Sequence, residues 1–253
     1  MHITLTGNLG SGKSTICKIL REKYGFEIYS TGTVQRQLAA EMGLSVLEMN
    51  KLMCSDHKYD HLIDDTTARI ARENADKNLV FDSRLAWHFV EKSYRVFLSV
   101  SLEEASRRVY NDSTRGAVET YKSQDECRDQ LRERAANEKM RYADIYGLNY
   151  YDFSNYDLVL DSSHATPEVL AQTIVTLAMD DRKKPQEGQM ILFSPERLGN
   201  GNNAEVSHSG FYPDSVISIK EEGDDFAPAS AEDKKTVAYA GENGYQFVKC
   251  VIS

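Results

Sequence analysis

Residues 2–15 read HITLTGNLGSGKST. Gly7, four intervening residues and then Gly12-Lys13-Ser14 satisfy the spacing G-x-x-x-x-G-K-[ST], a loop whose successive backbone N–H groups turn inward around phosphate oxygens. Gly7, Gly10 and Gly12 allow the tight turn, because a residue without Cβ accepts dihedrals that others resist. Lys13 is expected to reach the outer phosphates and the Ser14 hydroxyl to ligate magnesium. A helix starting here aims its partial positive end at the same anion. Ile3, Thr4 and Leu5 in front of the loop read as a buried strand. Behind it, STICKILREKYG (14–25) reads as an amphipathic helix with Ile16, Ile19 and Leu20 inward and Gly25 as its stop. Strand, loop, helix is the order a nucleotide site needs.

The rest of the 253-residue chain can bury a full core and still supply a second unit. Its 41% hydrophobic and 27% charged residues are globular proportions, and no run of about eighteen apolar residues could cross a bilayer. The phosphate loop begins within a few residues of Met1 and leaves no room for a leader, so a cytoplasmic protein without membrane association is expected. A net charge of −9 argues against binding to nucleic-acid backbone, although a nucleotide needs only a few local arginines. Cys17, Cys54, Cys127 and Cys250 show no C-x-x-C spacing and read as reduced packing thiols. His57, His61 and His88 are not at metal-ligand spacing with one another.

From the N-terminus to about residue 180, strand-like runs alternate with helical patterns. FEIYS, NLVFD, YRVFLSV and YDLVLD follow the first strand, giving five strands. TVQRQLAAEMG, EEASRRVYND, the long polar DECRDQLRERAANEKMRYADIYG and TPEVLAQTIVTLAM read as helices, the last with Thr166 as N-cap and Pro167 at its first position. Such alternation predicts an α/β fold, a five-stranded parallel sheet flanked by helices. The composition then shifts. DDRKKPQEGQ is linker-like, and the expected organisation is a phosphate-loop domain over 1–180, a linker over 181–190 and a small α+β C-terminal region over 191–253. In that region SVISIK and YQFVKCVIS read as strands and AEDKKTVAYAG as a helix.

Phosphate loops serve switches, motors and kinases. The chain has no guanine-reading N/T-K-x-D stretch and no ABC-type signature, whereas arginines recur where a second phosphate would lie. Arg36 follows the second strand, Arg84 in FDSR follows the third, and Arg134, Glu138 and Arg141 share one helical face at i, i+4 and i+7. Arginines at strand ends on the ligand-binding edge of a sheet point to a small-molecule kinase.

GNLGSGKST, YSTGTVQRQLAAEMGLSVLEMNKL, VFDSRLAW and RERAANEKMRYADIYGLNYYDFSNYDLVLDSS together resemble the nucleoside monophosphate kinases, most closely the short cytidylate kinases of archaea and some bacteria. The resemblance covers residues 1 to about 178. It implies that Gly7, Gly10, Gly12, Lys13, Ser14 and Thr15 hold ATP, with Ser14 on its magnesium. Asp82 would bind the metal through water. It implies that Ser30, Gly32 and Arg36 line the monophosphate pocket and that Arg84 grips the acceptor phosphate. Arg134, Glu138 and Arg141 would contact acceptor and transferring phosphoryl group, with Lys13, Arg84, Arg134 and Arg141 catalytic. Arg107, Arg108 and Arg115 occupy the place of a lid closing over ATP. One departure concerns the acceptor: Ser83 stands before Arg84 where relatives often have glycine.

The C-terminal stretch lies outside that resemblance. Its strand, turn, helix, glycine, strand layout is similar to a ParB/sulfiredoxin-like unit, with PASAEDKK where that unit carries its Gly-His-Arg signature. The leading expectation is a kinase using ATP and magnesium on CMP or dCMP, with small nucleotides as its partners. The alternatives are a kinase for another small phosphorylated acceptor and an ATP-binding regulatory protein whose tail engages a partner.

Overall fold

A computed structural model describes residues 1–44, 49, 58–112, 121–180, 189–199 and 207–253. Its elements are β1 (His2–Gly7), α1 (Lys13–Tyr24), β2 (Glu27–Ser30), α2 (Thr31–Glu41), α3 (Lys58–Glu73), β3 (Leu79–Asp82) and α4 (Ala86–Phe89). They continue as β4 (Tyr94–Ser99), α5 (Leu102–Asn111), α6 (Gln124–Tyr146), β5 (Leu158–Asp161), α7 (Pro167–Met179) and β6 (Met190–Phe193). The chain closes with β7 (His208–Glu222), β8 (Asp225–Pro228), α8 (Ala231–Glu242) and β9 (Tyr245–Ile252).

The strands form one sheet in the order β2-β3-β1-β4-β5-β6-β9-β7-β8. The expected α/β class holds, and its five parallel strands are present in the order β2-β3-β1-β4-β5. Among the described residues the sheet has nine strands, not five. β6 adds in parallel to β5, with Leu158 opposite Met190, and β9 pairs antiparallel to β6. β7 runs parallel to β9, and β8 folds back on β7 as a hairpin. Of the four added strands, β7 contains the run SVISIK and β9 lies within YQFVKCVIS, both expected in a separate C-terminal region, whereas β6 (MILF) and β8 (DFAP) are four-residue runs too short to show an alternation. Residues 181–188 of the linker lie outside the described residues.

β1 sits between β3 and β4 and is buried along its whole length, as expected for a parallel strand covered on both faces. On one face Ile16, Ile19 and Leu20 of α1 and Ile174 of α7 pack against Ile3, Leu5 and Val96. On the other face a single cluster joins Trp87, Phe97, Tyr150 and Tyr156 to Phe193, Ile217, Val237 and Val248. Helix ends follow local chemistry. Gly25 stops α1 at φ 72 with its N–H on the Leu20 carbonyl, and Thr166 caps α7 ahead of Pro167. Ser101 and Ser123 cap α5 and α6, each accepting a backbone N–H three residues on at 3.2 Å. α6 is polar on all sides and buries only Cys127 and Leu131. Cys17, Cys127 and Cys250 are buried; Cys54 and His57 lie outside the described residues.

Candidate active site

The phosphate loop leaves β1 at the carboxyl edge of the sheet, where the neighbouring connections diverge to β3 and β4. At Gly7 a Cβ would stand 2.4 Å from the Leu98 carbonyl oxygen, so only glycine lets β1 lie this close to β4. The following residue is tied to the same strand end: Asn8 N–H donates to Leu98 O at 3.1 Å and its Oδ1 accepts from Val100 N–H at 3.1 Å. Gly12 caps α1 at φ 85, a left-handed conformation that aims the helix start into the loop. Gly10, Gly12, Lys13, Ser14 and Thr15 line a cleft of about 610 Å³ whose other wall carries Arg108 and Arg134.

Lys13 lies among charges of both signs. Burial and the Arg84 guanidinium pull its ammonium down to about 8, against the opposing pull of Asp82 and Glu138. Burial raises the Asp82 carboxyl, with Lys13 and Arg84 working the other way. Asp82 ends β3 and Ser14 lies in the first turn of α1, which places one carboxylate and one hydroxyl on the edge that holds the loop. Among the described residues no group of three His, Cys, Asp or Glu side chains could hold a metal ion by itself. Hard oxygen donors of this kind, one or two from protein and the rest from phosphate and water, suit magnesium.

Arg84 is the best-held cation here. Its Nε donates to Glu138 Oε2 at 2.9 Å, its Nη1 to the Gly7 carbonyl at 2.8 Å, and its guanidinium lies 5.8 Å from the Tyr150 ring centre. Burial works against its charge and Glu138 overrides that, holding the guanidinium above its ordinary value. Glu138 is in turn bonded by Arg134 Nε at 3.3 Å and Tyr150 OH at 3.1 Å. Burial opposes its ionisation, yet Arg84 keeps its carboxyl below the ordinary range. Arg134, Glu138 and Arg141 line a second cleft of about 600 Å³ with Tyr121, so Arg134 borders both clefts. Ser30 caps α2 by accepting from Thr33 N–H at 3.2 Å, and Arg36 Nη2 donates to Thr33 Oγ1 at 3.2 Å beside Gly32. The Ser83 hydroxyl accepts from Leu85 N–H at 3.4 Å, within its own turn.

The two described lid candidates part company. Arg108 reaches the phosphate-loop cleft with its Nε on Glu104 Oε1 at 2.7 Å, whereas Arg107 is exposed and forks onto the same carboxylate at 2.6 and 2.7 Å. Arg115 lies outside the described residues. Sequence reasoning gave no role to Tyr150, which underlies Arg84 and bonds Glu138, nor to the Ser162 and Ser163 carbonyls, which accept from Arg108 Nη2 at 2.6 and 3.0 Å. Both lie in the RERAANEKMRYADIYGLNYYDFSNYDLVLDSS motif, but only the fold turns them toward these arginines.

The model of the cytidylate kinase-like family matches residues 2–164. A cytidylate kinase of Methanobrevibacter smithii is 30% identical over 176 residues, covering 70% of this chain and 97% of that protein. An S-adenosylmethionine-dependent nucleotide dehydratase of Lacinutrix mariniflava is 33% identical over 174 residues, 68% of this chain and 35% of that protein. A crystal structure of an uncharacterised protein from Eubacterium ventriosum superposes with a TM-score of 0.54 at 14% identity, over 71% of this chain and 99% of that one, which speaks to the fold alone. The ParB/sulfiredoxin-like resemblance of residues 191–253 finds no support among these relatives.

Proposed function

The chain belongs to the cytidylate kinase-like family, and from that membership we propose that it transfers the γ-phosphoryl group of ATP to a nucleoside monophosphate, CMP or dCMP first. The observation that carries this reading is the pairing of a phosphate loop with Arg84 and Arg134. Both arginines are joined to Glu138, and one of them borders the loop's cleft.

Phosphoryl transfer asks little covalent work of a protein. It needs two anionic substrates in line and fixed cations around the oxygens where charge develops. In this reading the loop amides and Lys13 hold the ATP phosphates, and Arg108 closes the far wall of the cleft. Arg84, held at Nε and Nη1 by Glu138 and the Gly7 carbonyl, meets the acceptor phosphate with its remaining N–H groups. Glu138 is the orienting base of this cluster, since one carboxylate fixes two guanidinium groups and a tyrosine hydroxyl. Arginine suits the task because its planar fork pairs with phosphate oxygens and keeps its charge. Ser14 and Asp82 would hold magnesium, which when bound neutralises phosphate charge and orients the phosphoryl group. Arg36, with Ser30 and Gly32, serves the acceptor side.

A second acceptor class stays within the test because of Ser83, whose side chain stands directly before Arg84. The test is coupled ADP production from Mg-ATP against CMP, dCMP, UMP, AMP, GMP and dTMP, with Arg84→Ala as control. Stimulation by CMP and dCMP that the control loses supports the reading. Silence across the panel, with ATP bound, moves the activity to a different phosphorylated acceptor.

A further inference from the structure

Residues 190–253 lie beyond the family match, yet they touch the nucleotide side of the molecule at a defined place. After β6 the chain turns through Ser194–Arg197. Arg197 is almost fully enclosed, its side chain 3% exposed, with its guanidinium 4.6 Å from the Phe193 ring centre and 6.0 Å from that of Phe226. It bridges two carboxylates, Asp161 at the end of β5 and Asp225 at the start of β8, each at 2.8 Å, and also donates to Ser99 Oγ at 2.9 Å. A buried guanidinium is tolerable only when its charge is matched and its N–H groups are used.

Asp161 passes this constraint on. Its side chain is fully buried and accepts from Arg197, from Ser163 N–H at 3.0 Å, from Ser163 Oγ at 2.7 Å and from Ser194 N–H at 3.1 Å. Ser163 Oγ then accepts from Ser101 N–H at 3.0 Å, the N-cap residue of α5, while the Ser162 and Ser163 carbonyls hold Arg108 further along the same helix. One turn of backbone thus grips α5 at its start and at the arginine that reaches the phosphate loop, whose Nη1 faces Gly12. His164, next in the chain, is 3.1 Å from Glu196 of the same tail turn.

We propose that the C-terminal segment, through Asp225, Arg197 and Asp161, positions Arg108 over the phosphate loop, so that it tunes ATP binding rather than merely packing on the kinase. This rests on the reading that the loop binds ATP. Arg197 and Asp225 are positioning residues, since neither reaches the cleft.

The test is equilibrium binding of Mg-ATP by calorimetry to the full chain, together with KM for ATP and for the acceptor. Asp225→Asn removes one of the two charges facing Arg197 and leaves Asp161 in place, and Arg197→Lys keeps the charge but loses the fork. The expected result is ATP affinity about fivefold weaker in Asp225→Asn, with acceptor KM unchanged. Asp225→Glu recovers most of the loss, and Asp225→Asn has no further effect in an Arg108→Ala background, because coupled sites are not additive. The proposal is overturned if folded Asp225→Asn binds ATP like the wild type, or if its loss persists undiminished without Arg108. Should Arg197→Lys fail to fold, the Asp225 series decides alone. A wild-type chain that binds no Mg-ATP overturns the functional reading and the proposal together. A wild type that phosphorylates its acceptor beside variants with unchanged ATP affinity overturns the proposal only.

Discussion

Lys13 is the lysine of the G-x-x-x-x-G-K-[ST] pattern, and its surroundings make its charge depend on pH. In the folded chain its ammonium titrates at about 8 instead of 10.5, through burial first and Arg84 second. Between those values the unfolded chain holds the proton and the folded chain does not, so Lys13 makes the ligand-free protein gain stability as pH rises through this window. Bound phosphate favours the charged form, so ATP binding takes up a proton above about pH 8. The ATP dissociation constant should then climb toward about tenfold per pH unit, which calorimetry in buffers of differing ionisation enthalpy will show; a flat profile in the wild type excludes it. Arg84 makes a separate prediction. Arg84→Ala should lower kcat on the order of 10³-fold, because a preorganised donor aimed at developing charge is lost, and single-turnover kinetics at saturating ATP measures this. The motif around Lys13 could be read directly, since its chemistry is local. The partners of Arg84 could not, because Glu138 is 54 positions away and Gly7 is 77.

Elements here are defined by local signals and placed by close contacts between them. Ser101, Ser123 and Thr166 cap their helices, and residues of this type before a helical pattern are visible in any sequence. Contact between β1 and β4 is another matter. The space at Gly7 is closed by the Leu98 carbonyl, which is backbone and has no side-chain rotamer through which to yield. Gly7→Ala should therefore destabilise the fold by about 1–3 kcal/mol and weaken ATP binding, and urea unfolding together with calorimetry checks both. Removal of the α6 cap by Ser123→Ala should cost about 1 kcal/mol of stability while leaving the acceptor preference unchanged, measured by urea denaturation and the nucleotide panel. α6 has no apolar stripe, so its sequence says helix without saying which way it faces. The ion pair from Arg132 to Asp224 at 2.6 Å and the cluster around Glu138 tell its sides apart.

Across the whole molecule, the segment after the linker shares both sheet and core with the segment before it. Phe193 and Val248 pack in the same cluster as Trp87, Phe97 and Tyr156. Phe193→Ala should thus cost about 3–5 kcal/mol, and its effect should appear at Trp87, the one tryptophan of the chain. Fluorescence and far-ultraviolet circular dichroism should shift to the same lower denaturant midpoint. A tryptophan transition that stays put would mean that the two segments unfold separately.

The five strands up to residue 180, helices α1, α2, α5, α6 and α7 and the phosphate-loop pattern are legible in the sequence alone, whereas α3 and the four-residue α4 were not read from it. Hydrophobic period, caps and glycine spacing act over a few residues and need no distant partner. Tertiary structure decided that β6, β9, β7 and β8 continue the sheet, that Glu138 and Tyr150 hold Arg84, and that Arg197 ties Asp225 to Asp161. Strand order and buried ion pairs join residues tens of positions apart, and a linear pattern carries no measure of that proximity.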